Sequence, residues 1–368
     1  MGKSNIVFLI MAGGSGTRFW PLSSKAKPKQ FLSVFTGNPL IVDTFNRVLP
    51  LAEDREHIFI STAKTQVRYV TRALPNIQNS RILCDPIQRD TAAAIGFACE
   101  VIASFYDNPI IVVLPSDHHI SDEVEFRRVI SLAISSAVGK IITIGIKPSR
   151  PETDYGYIES DASCPSPVKR VLHFKEKPDQ LTALNYFESG KFFWNSGIFV
   201  FSYQTIVNAF RNLCPDHYKI LSLIKKHIKT MNKKKSQAEI YALFKSFSKV
   251  SIDYAIMEKA NNIYVIPSSF GWDDVGSFLA LERLFPPDEF GNTCVNCKVI
   301  ASKSNNNVLA SEKKTQVILL GIDNAIIVRD GNKILVASRD CISDLKQQVN
   351  LLEKRPINET LFSLKCSF

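Results

Sequence analysis

The chain has 368 residues, 45% of them hydrophobic, and a formal net charge of +10. A chain of this length can bury one large core and a smaller second one, so we expect a large domain with a small companion. The first apolar run, Ile6 to Met11, is too short for a signal-peptide core or a membrane span, which indicates a cytoplasmic protein without membrane association. The eight cysteines lie in scattered apolar contexts that favour reduced thiols over disulfides.

Short apolar runs alternate with amphipathic stretches through the first half of the chain. They lie at residues 6–11, 57–61, 81–84, 110–114 and 141–145. This alternation predicts an α/β fold in which a Rossmann-like, mostly parallel sheet has helices on both faces. Ligands of such sheets gather at the carboxyl ends of the strands, so the loops after the first and fourth runs are candidates for a binding site.

The loop after the first run reads Ala-Gly-Gly-Ser-Gly-Thr-Arg at residues 12–18. Such a turn exposes backbone N–H groups that surround phosphate oxygens, and Arg18 and the more distant Lys29 add fixed positive charge. The spacing excludes a Walker A motif and a dinucleotide fingerprint, because it provides neither Gly-Lys-Ser/Thr nor the third glycine that these motifs need. A tight turn that only needs positive φ is the alternative explanation for the glycines alone.

Two acidic segments indicate a metal site. Asp117 follows Ser116 at the end of the fourth apolar run, and Asp274 lies in the loop Gly271 to Gly276. Mg²⁺ prefers one or two carboxylates together with phosphate oxygens and water, so we expect these two aspartates to hold it. The alternatives are a helix N-cap for Asp117 and a turn position for Asp274.

Two later segments suit a ligand that is rich in hydroxyl groups. Glu176 can accept hydrogen bonds from two sugar hydroxyls while the neighbouring Lys177 reaches a phosphate. Asn195, within Trp194 to Ile198, can both donate and accept hydrogen bonds. A surface ion pair before Pro178 is the alternative interpretation of Glu176 and Lys177.

Asp90 precedes an alanine-rich stretch, residues 91–105, that predicts a buried helix. One interpretation makes Asp90 the N-cap of that helix. The other makes its carboxylate an acceptor for the N1–H and the exocyclic amine of a purine, which favours guanine over adenine. The sequence leaves both interpretations open.

The second half of the chain changes in character. Aromatic runs at residues 155–201 predict strands that extend the sheet, and residues 204–259 predict helices. Pro286-Pro287 marks a break, after which short β runs and a closing helix are expected. We therefore predict a large catalytic domain at residues 1–285 and a β-rich C-terminal domain with a closing helix at residues 286–368.

Two further patterns are expected to be structural. The lysine-rich stretch 225–235 lacks interleaved aromatic residues, so a solvated helix end and loop is favoured over a nucleic-acid surface. Cys294 and Cys297 form a Cys-x-x-Cys pair, but neither a second pair nor a nearby histidine completes a zinc site. We therefore expect neither nucleic acid nor zinc as a partner.

The ordered motifs together resemble the mannose-1-phosphate guanylyltransferases, also called GDP-mannose pyrophosphorylases, a family of sugar-1-phosphate nucleotidyltransferases. The resemblance covers nearly the whole chain, with motifs at residues 13–22, 28–32, 114–118, 151–158, 174–178, 194–199, 251–258 and 274–277. It implies that the large domain is the nucleotidyltransferase domain and that the C-terminal domain is a left-handed β-helix. It also implies the short form of a family whose larger members continue into an isomerase domain.

The same resemblance implies a reaction in which GMP passes from GTP to mannose 1-phosphate, with Mg²⁺ as cofactor, giving GDP-mannose and pyrophosphate. The implied catalytic residues are Arg18, Lys29 and Asp117, and the implied metal ligands are Asp117 and Asp274. The implied nucleotide-binding residues are Ala12, Gly13, Gly14, Gly16, Thr17, Asp90, Thr91 and Ser116. The implied sugar-phosphate-binding residues are Gly156, Glu176, Lys177 and Asn195.

Three positions depart from the family pattern. The family usually has Asn at the position of Asp90, Pro at that of Ala93 and Gly at that of Asp154. The same chemistry on another nucleoside triphosphate or hexose 1-phosphate is therefore the first alternative. A regulatory relative that binds GDP-mannose without making it is the second, although it should lack Arg18 or the metal aspartates. A homodimer is compatible with a β-rich C-terminal domain.

Overall fold

The computed structural model describes residues 5–14, 16–24, 27–163 and 165–353 of the chain. These residues divide into two compact units. Unit 1 consists of the residues up to Gly13 together with Leu40–Asp274, and unit 2 consists of Gly14–Pro39 together with the residues from Val275 onward. Unit 2 thus joins an early segment to the C-terminal part of the chain. The domain boundary expected after residue 285 stays a prediction.

Unit 1 alternates strands and helices over most of its length. Its strands are β1 (Ile6–Ala12), β2 (Ile58–Ala63), β3 (Ile82–Asp85), β4 (Ile110–Pro115), β5 (His119–Ile120), β6 (Ile141–Ile146), β7 (Tyr157–Ser160), β8 (Lys169–Lys175), β9 (Phe192–Ser202), β10 (Ile263–Ser268) and β11 (Trp272–Asp273). Its helices are α1 (Leu40–Val48), α2 (Val67–Ala73), α3 (Asp90–Ile102), α4 (Glu123–Ser136), α5 (Gln180–Ser189), α6 (Tyr203–Leu213), α7 (Pro215–Ile228) and α8 (Lys234–Lys245). A π-helical turn, Asp253–Met257, lies between α8 and β10.

The described residues of unit 1 form a nine-stranded sheet in the order β3-β2-β1-β4-β9-β6-β10-β8-β7. β3, β2, β1 and β4 pair in parallel, and β6 pairs in parallel with β10. The long β9 runs antiparallel between β4 and β6, and it also pairs with β7. The α/β class is confirmed, and the sheet is mixed because β9 and β8 run opposite to their neighbours.

The core of unit 1 is built by strands with continuous apolar runs. All six residues of β2 and of β6 are buried, as expected for strands that are covered on both faces. Nearly every residue of α3 is buried as well, including Ala92, Ala93 and Ile95, so the predicted buried helix is confirmed. None of the helices in the described part of the chain is long and apolar enough to span a membrane.

Parallel pairing brings the carboxyl ends of β1 and β4 to one edge of the sheet. Met11 is in register with Pro115, and the N–H of Ser116 donates to the carbonyl of Met11 at 3.1 Å. On the other side of β1 the hydroxyl of Thr62 donates to the carbonyl of Ala12 at 2.9 Å. The residues that follow both strands therefore leave the sheet side by side.

Unit 2 has a smaller sheet of its own. Its C-terminal elements are α9 (Leu281–Leu284), β12 (Thr293–Ser302), β13 (Val308–Leu320), β14 (Ala325–Asp330), β15 (Lys333–Ser338) and α10 (Leu345–Glu353). β12, β13 and β14 pair in parallel, and β15 returns antiparallel beside β14. The amide of buried Asn307 donates to Asn292 Oδ1 at 2.9 Å, just before the strands begin. These strands and α10 lie in the part of the chain for which a β-rich domain with a closing helix is expected, and that domain assignment stays a prediction.

Candidate active site

The segments that carry the two predicted metal ligands lie side by side. β5 and β11 pair antiparallel, with His119 opposite Asp273. Asp117 lies two residues before β5, and Asp274 directly follows β11. Because neighbouring strands of an antiparallel pair run in opposite directions, both aspartates lie at the same end of this short ladder.

Aromatic and imidazole side chains hold these two segments. The indole N–H of Trp272 donates to Nδ1 of His118 at 3.1 Å, so a neutral imidazole carries its proton on Nε2, 4.0 Å from Asp117 Oδ1. The hydroxyl of Tyr155 donates to Asp274 Oδ1. Burial and then the Asp274 charge raise the pKa of Tyr155, so this hydroxyl stays a donor at neutral pH.

The donor set at this edge fits magnesium. No group of three or more His, Cys, Asp or Glu side chains that could hold a metal occurs among residues 5–14, 16–24, 27–163 and 165–353. Mg²⁺ does not need such a group, because it keeps several waters and binds one or two carboxylates together with substrate phosphates. Asp117 and Asp274 lie beside two paired segments and carry carboxylates of the kind that Mg²⁺ prefers, and their role as its ligands stays a prediction.

The three residues predicted to contact a sugar lie in one cluster. The N–H of Asn195 donates to the carbonyl of Gly156 at 2.8 Å. A Cβ atom added at Gly156 would lie 2.5 Å from Glu176 Oε2 and 3.2 Å from Asn195 Cβ, so a side chain there would collide with both. Glu176 is only 9% exposed, and its Oε2 atom is buried without a hydrogen-bond partner. A buried carboxylate oxygen ordinarily has a hydrogen-bond donor, so this oxygen is the unsatisfied acceptor of the cluster.

Lys177 adds a positive charge beside this cluster. Its Nζ atom lies 3.0 Å from Glu176 Oε1, and 55% of its side chain is exposed. Although burial opposes the shift, the Glu176 charge raises the pKa of Lys177, so the ammonium group keeps its proton. A partly exposed cation next to a buried acceptor suits a phosphorylated sugar.

Asn195 is held in one orientation by its own partners. Its side-chain oxygen accepts the N–H of Gly197 at 3.1 Å and the hydroxyl of Thr143 at 3.3 Å. Its amide donates to Asp253 Oδ1 at 3.1 Å. Burial and the nearby Glu176 raise the pKa of Asp253 to about 6. The sequence alone assigned Asp253 no role, although an acidic residue within an otherwise apolar run was a usable signal.

The residues predicted to read the base lie at the start of α3. Asp90 has a left-handed φ of 69°, and its carboxylate accepts the N–H of Thr91 at 2.8 Å. The hydroxyl of Thr91 accepts the N–H of Ile252 at 2.9 Å, which ties the start of α3 to the segment of Asp253. These are contacts within the protein, so base recognition by Asp90 and Thr91 stays a prediction.

A second acidic side chain lies close to this region in the sheet. Asp85 ends β3, in register with Ala63 of β2, and its Oδ1 atom is buried without a partner. Burial raises the pKa of Asp85 to about 7. Nearby in sequence, the amide of Gln88 donates to the carbonyl of Gly13 at 3.1 Å. Asp85 follows an ordinary apolar run, so only the sheet order shows that it lies at the carboxyl edge.

The glycine loop turns tightly within unit 2. Gly16 has a φ of 60°, and a Cβ atom there would overlap the backbone nitrogen of Lys29, so the turn brings these two residues together. Lys29 is buried and begins a short 3₁₀ turn, whereas Arg18 is exposed. Ser15 and the side chain of Thr17 lie outside the described residues.

The predicted site residues belong to both units. Those in unit 2 are Gly14, Gly16, Thr17, Arg18 and Lys29. Those in unit 1 are Ala12, Gly13, Asp90, Thr91, Ser116, Asp117, Gly156, Glu176, Lys177, Asn195 and Asp274. Within unit 1 the structure brings together the sugar set and, separately, the two aspartate segments.

Known proteins place the chain in a family. Residues 7–289 match the family model described as nucleotidyl transferase. The chain belongs to the nucleotidyl transferase family. The mannose-1-phosphate guanylyltransferase RfbM of Salmonella typhimurium is 35% identical to it over 361 residues, which cover 95% of this chain and 73% of that protein. The chain is therefore an enzyme, and the resemblance to mannose-1-phosphate guanylyltransferases is confirmed.

Two further comparisons agree with this family. The alginate biosynthesis protein AlgA of Pseudomonas fluorescens is 33% identical to this nucleotidyl transferase and covers 96% of it, while the match spans 73% of that protein. A crystal structure from Thermus thermophilus, of a protein called mannose-1-phosphate geranyltransferase, has a TM-score of 0.85 at 30% identity. That match covers 95% of this chain and 99% of the other. The α/β nucleotidyltransferase fold is thus confirmed.

Two of the departures from the family pattern have clear positions in this nucleotidyl transferase. Ala93 is fully buried within α3. Asp154 is exposed, and its N–H lies 3.4 Å from Glu152 Oε1.

Proposed function

We propose that this nucleotidyl transferase transfers GMP from GTP to mannose 1-phosphate and releases pyrophosphate. The observation that carries the proposal is the cluster of Gly156, Glu176 and Asn195, where a buried carboxylate oxygen has no partner within the protein. Lys177 beside it offers a cation for the phosphate of the sugar. The relatives named mannose-1-phosphate guanylyltransferase support the same pair of substrates.

The proposed reaction needs no activated side-chain nucleophile. A sugar 1-phosphate is mostly a dianion near neutral pH, because the second pKa of such a phosphate is about 6. One of its oxygens attacks the α-phosphorus of GTP in line with the leaving pyrophosphate. Because both reactants are anions, the main task of the protein is to surround them with positive charge and fixed hydrogen-bond donors.

The cationic side chains divide this task. Lys177 binds the phosphate of mannose 1-phosphate, and Arg18 and Lys29 stabilise the leaving pyrophosphate. Asp117 and Asp274 would hold Mg²⁺, which supplies charge neutralisation at the phosphate oxygens when it is bound. The hydroxyl of Tyr155 positions Asp274 by donating a hydrogen bond to it, and His118 lies beside Asp117 at 4.0 Å.

The remaining residues bind GTP. Backbone N–H groups of the glycine loop receive the phosphates, and Asp90 accepts hydrogen bonds from guanine. The proposed nucleotide-binding set is Ala12, Gly13, Gly14, Gly16, Thr17, Asp90, Thr91 and Ser116.

We also propose that the sheet of unit 2 is a left-handed β-helix. The stacked residues Asn292 and Asn307 are 15 residues apart, and the N–H of Ala325, 18 residues further on, donates to Asn307 Oδ1 at 2.9 Å. Asparagine ladders between parallel coils are typical of such solenoids. A crystal structure that shows right-handed coils would refute this assignment. The homodimer and the helices on both faces of the large sheet stay predictions.

Pyrophosphate release tests the proposed reaction. We expect release only when GTP, mannose 1-phosphate and a divalent metal are all present, with lower kcat/KM for ATP, UTP or glucose 1-phosphate. A higher kcat/KM with another nucleoside triphosphate or another sugar 1-phosphate would show that those compounds are the substrates. Tight binding of GDP-mannose without any release of pyrophosphate would instead indicate a regulatory relative.

A further inference from the structure

The sugar cluster contains several carboxyl groups, although a site for a phosphate dianion is expected to be mainly positive. Asp253 accepts the amide of Asn195 at 3.1 Å, and Glu176 lies close enough to perturb it. Glu258 Oε1 accepts the backbone N–H of Glu176 at 3.1 Å. Three carboxyl groups thus lie near the proposed binding site of the sugar phosphate, which is a dianion. The cation beside them is Lys177, whose Nζ atom lies 3.0 Å from Glu176 Oε1.

Asp253 is held firmly in this position. Its carbonyl accepts the N–H of Glu258 at 2.9 Å at the end of the π-helical turn. The preceding residue, Ile252, donates its N–H to the hydroxyl of Thr91 at 2.9 Å. Because the backbone is fixed on both sides, the carboxylate has little freedom to swing away from an incoming phosphate.

We propose that Asp253 is a positioning residue that orients Asn195 and takes up one proton from solvent when the sugar phosphate binds. This inference rests on the proposed function, because it requires the phosphate of mannose 1-phosphate beside Lys177. In the balanced step the dianion enters, a proton moves from water onto the carboxylate of Asp253, and no covalent bond between heavy atoms changes.

The charges that face Asp253 explain the proton uptake. Glu176 raises its pKa, whereas Lys177 and the Asn195 amide lower it, and the π-helical turn contributes Tyr254 and, directly after its last residue, Glu258. A phosphate that binds Lys177 cancels the cation's effect and adds negative charge of its own, so the pKa of Asp253 rises further. The protonated carboxyl still offers an oxygen to Asn195 and gains an O–H to donate.

The sign of the pH dependence follows from this shift. A carboxyl whose pKa is higher in the complex than in the free enzyme makes binding tighter at low pH and weaker as the pH rises. Burial has already raised the free-enzyme pKa to about 6. We therefore expect the KM for mannose 1-phosphate to rise about threefold or more between pH 7 and pH 8.5, where the substrate itself is already a dianion.

Two variants separate charge from positioning. Asp253→Asn keeps an oxygen that accepts the hydrogen bond from Asn195, but its amide cannot take up a proton. The KM of this variant for mannose 1-phosphate should therefore not change with pH. At pH 8.5 this KM should be equal to or lower than that of the wild type. Asp253→Ala loses the acceptor, so its KM should be about tenfold higher at both pH values. Glu188→Gln, an exposed change on α5 that removes one negative charge, is the matched control and should follow the wild type.

Calorimetry tests the proton directly. Mannose 1-phosphate is titrated into the enzyme with α,β-methylene GTP at pH 7.5, in buffers of different ionisation enthalpy. For the wild type the heat should depend on the buffer and indicate proton uptake, and for Asp253→Asn it should not. Buffer-independent heat for the wild type, or the same pH dependence of KM in Asp253→Asn, overturns the inference. A wild-type enzyme that releases no pyrophosphate from GTP and mannose 1-phosphate overturns the proposed function instead.

Discussion

The glycine loop of unit 2 and the sugar cluster of unit 1 are built in different ways. In the loop, Gly16 turns onto Lys29 within one continuous segment. In the cluster, Gly156, Glu176 and Asn195 come from three segments that only the sheet brings together. The geometry of the loop therefore depends on the backbone conformation of one segment, whereas the geometry of the cluster depends on the order of the strands in the sheet. A motif of the first kind can be read from one stretch of sequence, and a motif of the second kind needs the fold.

The largest effect is expected when a charge of the loop is removed. Arg18→Ala should lower kcat by about 100- to 1000-fold, or about 2.7–4 kcal/mol, because a preorganised cation no longer stabilises the leaving pyrophosphate. Steady-state kinetics with saturating substrates measure this loss. Arg72→Ala, at an exposed position in the last turn of α2, is the matched control. Normal turnover by Arg18→Ala would remove Arg18 from the mechanism.

The stability of unit 2 can be weakened without touching either region. Asn307→Ala leaves the carbonyl of Ile322 and the N–H of Ala325 without their partner. Asn292 Oδ1 loses the side-chain amide and keeps only the backbone N–H of residue 307. Buried polar groups left this way should lower the free energy of unfolding by about 1–3 kcal/mol. Urea unfolding measures this loss, with Asn350→Ala, exposed on α10, as control.

The sugar cluster can be filled by one methyl group. Gly156→Ala places a Cβ atom 2.5 Å from Glu176 Oε2, so the two side chains must separate. We expect the KM for mannose 1-phosphate to rise about 10- to 100-fold, or about 1.4–2.8 kcal/mol, with the KM for GTP as the internal control. An equal rise in both constants would mean that the substitution disturbs the fold rather than the cluster.

The smallest effect is expected at the aspartate segments. Tyr155→Phe removes the donor to Asp274, so the Mg²⁺ concentration for half-maximal activity should rise about tenfold. Electron paramagnetic resonance of Mn²⁺ measures the metal affinity of the variant and of the wild type without the reaction taking place. Tyr241→Phe, exposed on α8, should behave as the wild type. If both variants bind Mn²⁺ equally well, the hydroxyl of Tyr155 does not position a metal ligand.

The sequence predicts the elements of the fold well where one segment decides them. The five apolar runs of the first half are the strands β1, β2, β3, β4 and β6, because short apolar runs between turn signals favour strands of a covered sheet. The long β9 was expected as a strand, yet its insertion between β4 and β6 depends on pairing between distant segments. For the same reason the grouping of residues 14–39 with the C-terminal part of the chain could not be foreseen.

The candidate site divides along the same line. The resemblance named Gly156, Glu176 and Asn195, and the structure brings them into contact. It gave no role to Asp253, although one of its motifs spans residues 251–258, because the hydrogen bond to Asn195 joins residues that are 58 positions apart in the sequence. It also did not name Asp85, whose Oδ1 atom is buried without a hydrogen-bond partner at the end of β3.

A crystal structure of the enzyme with GDP-mannose tests the central claim most directly. We predict that a hydroxyl of the mannose lies within hydrogen-bond distance of Glu176 Oε2 and that the adjacent phosphate contacts Lys177. Density for the mannose away from Gly156, Glu176 and Asn195 would contradict the assignment of this cluster as the sugar-phosphate site.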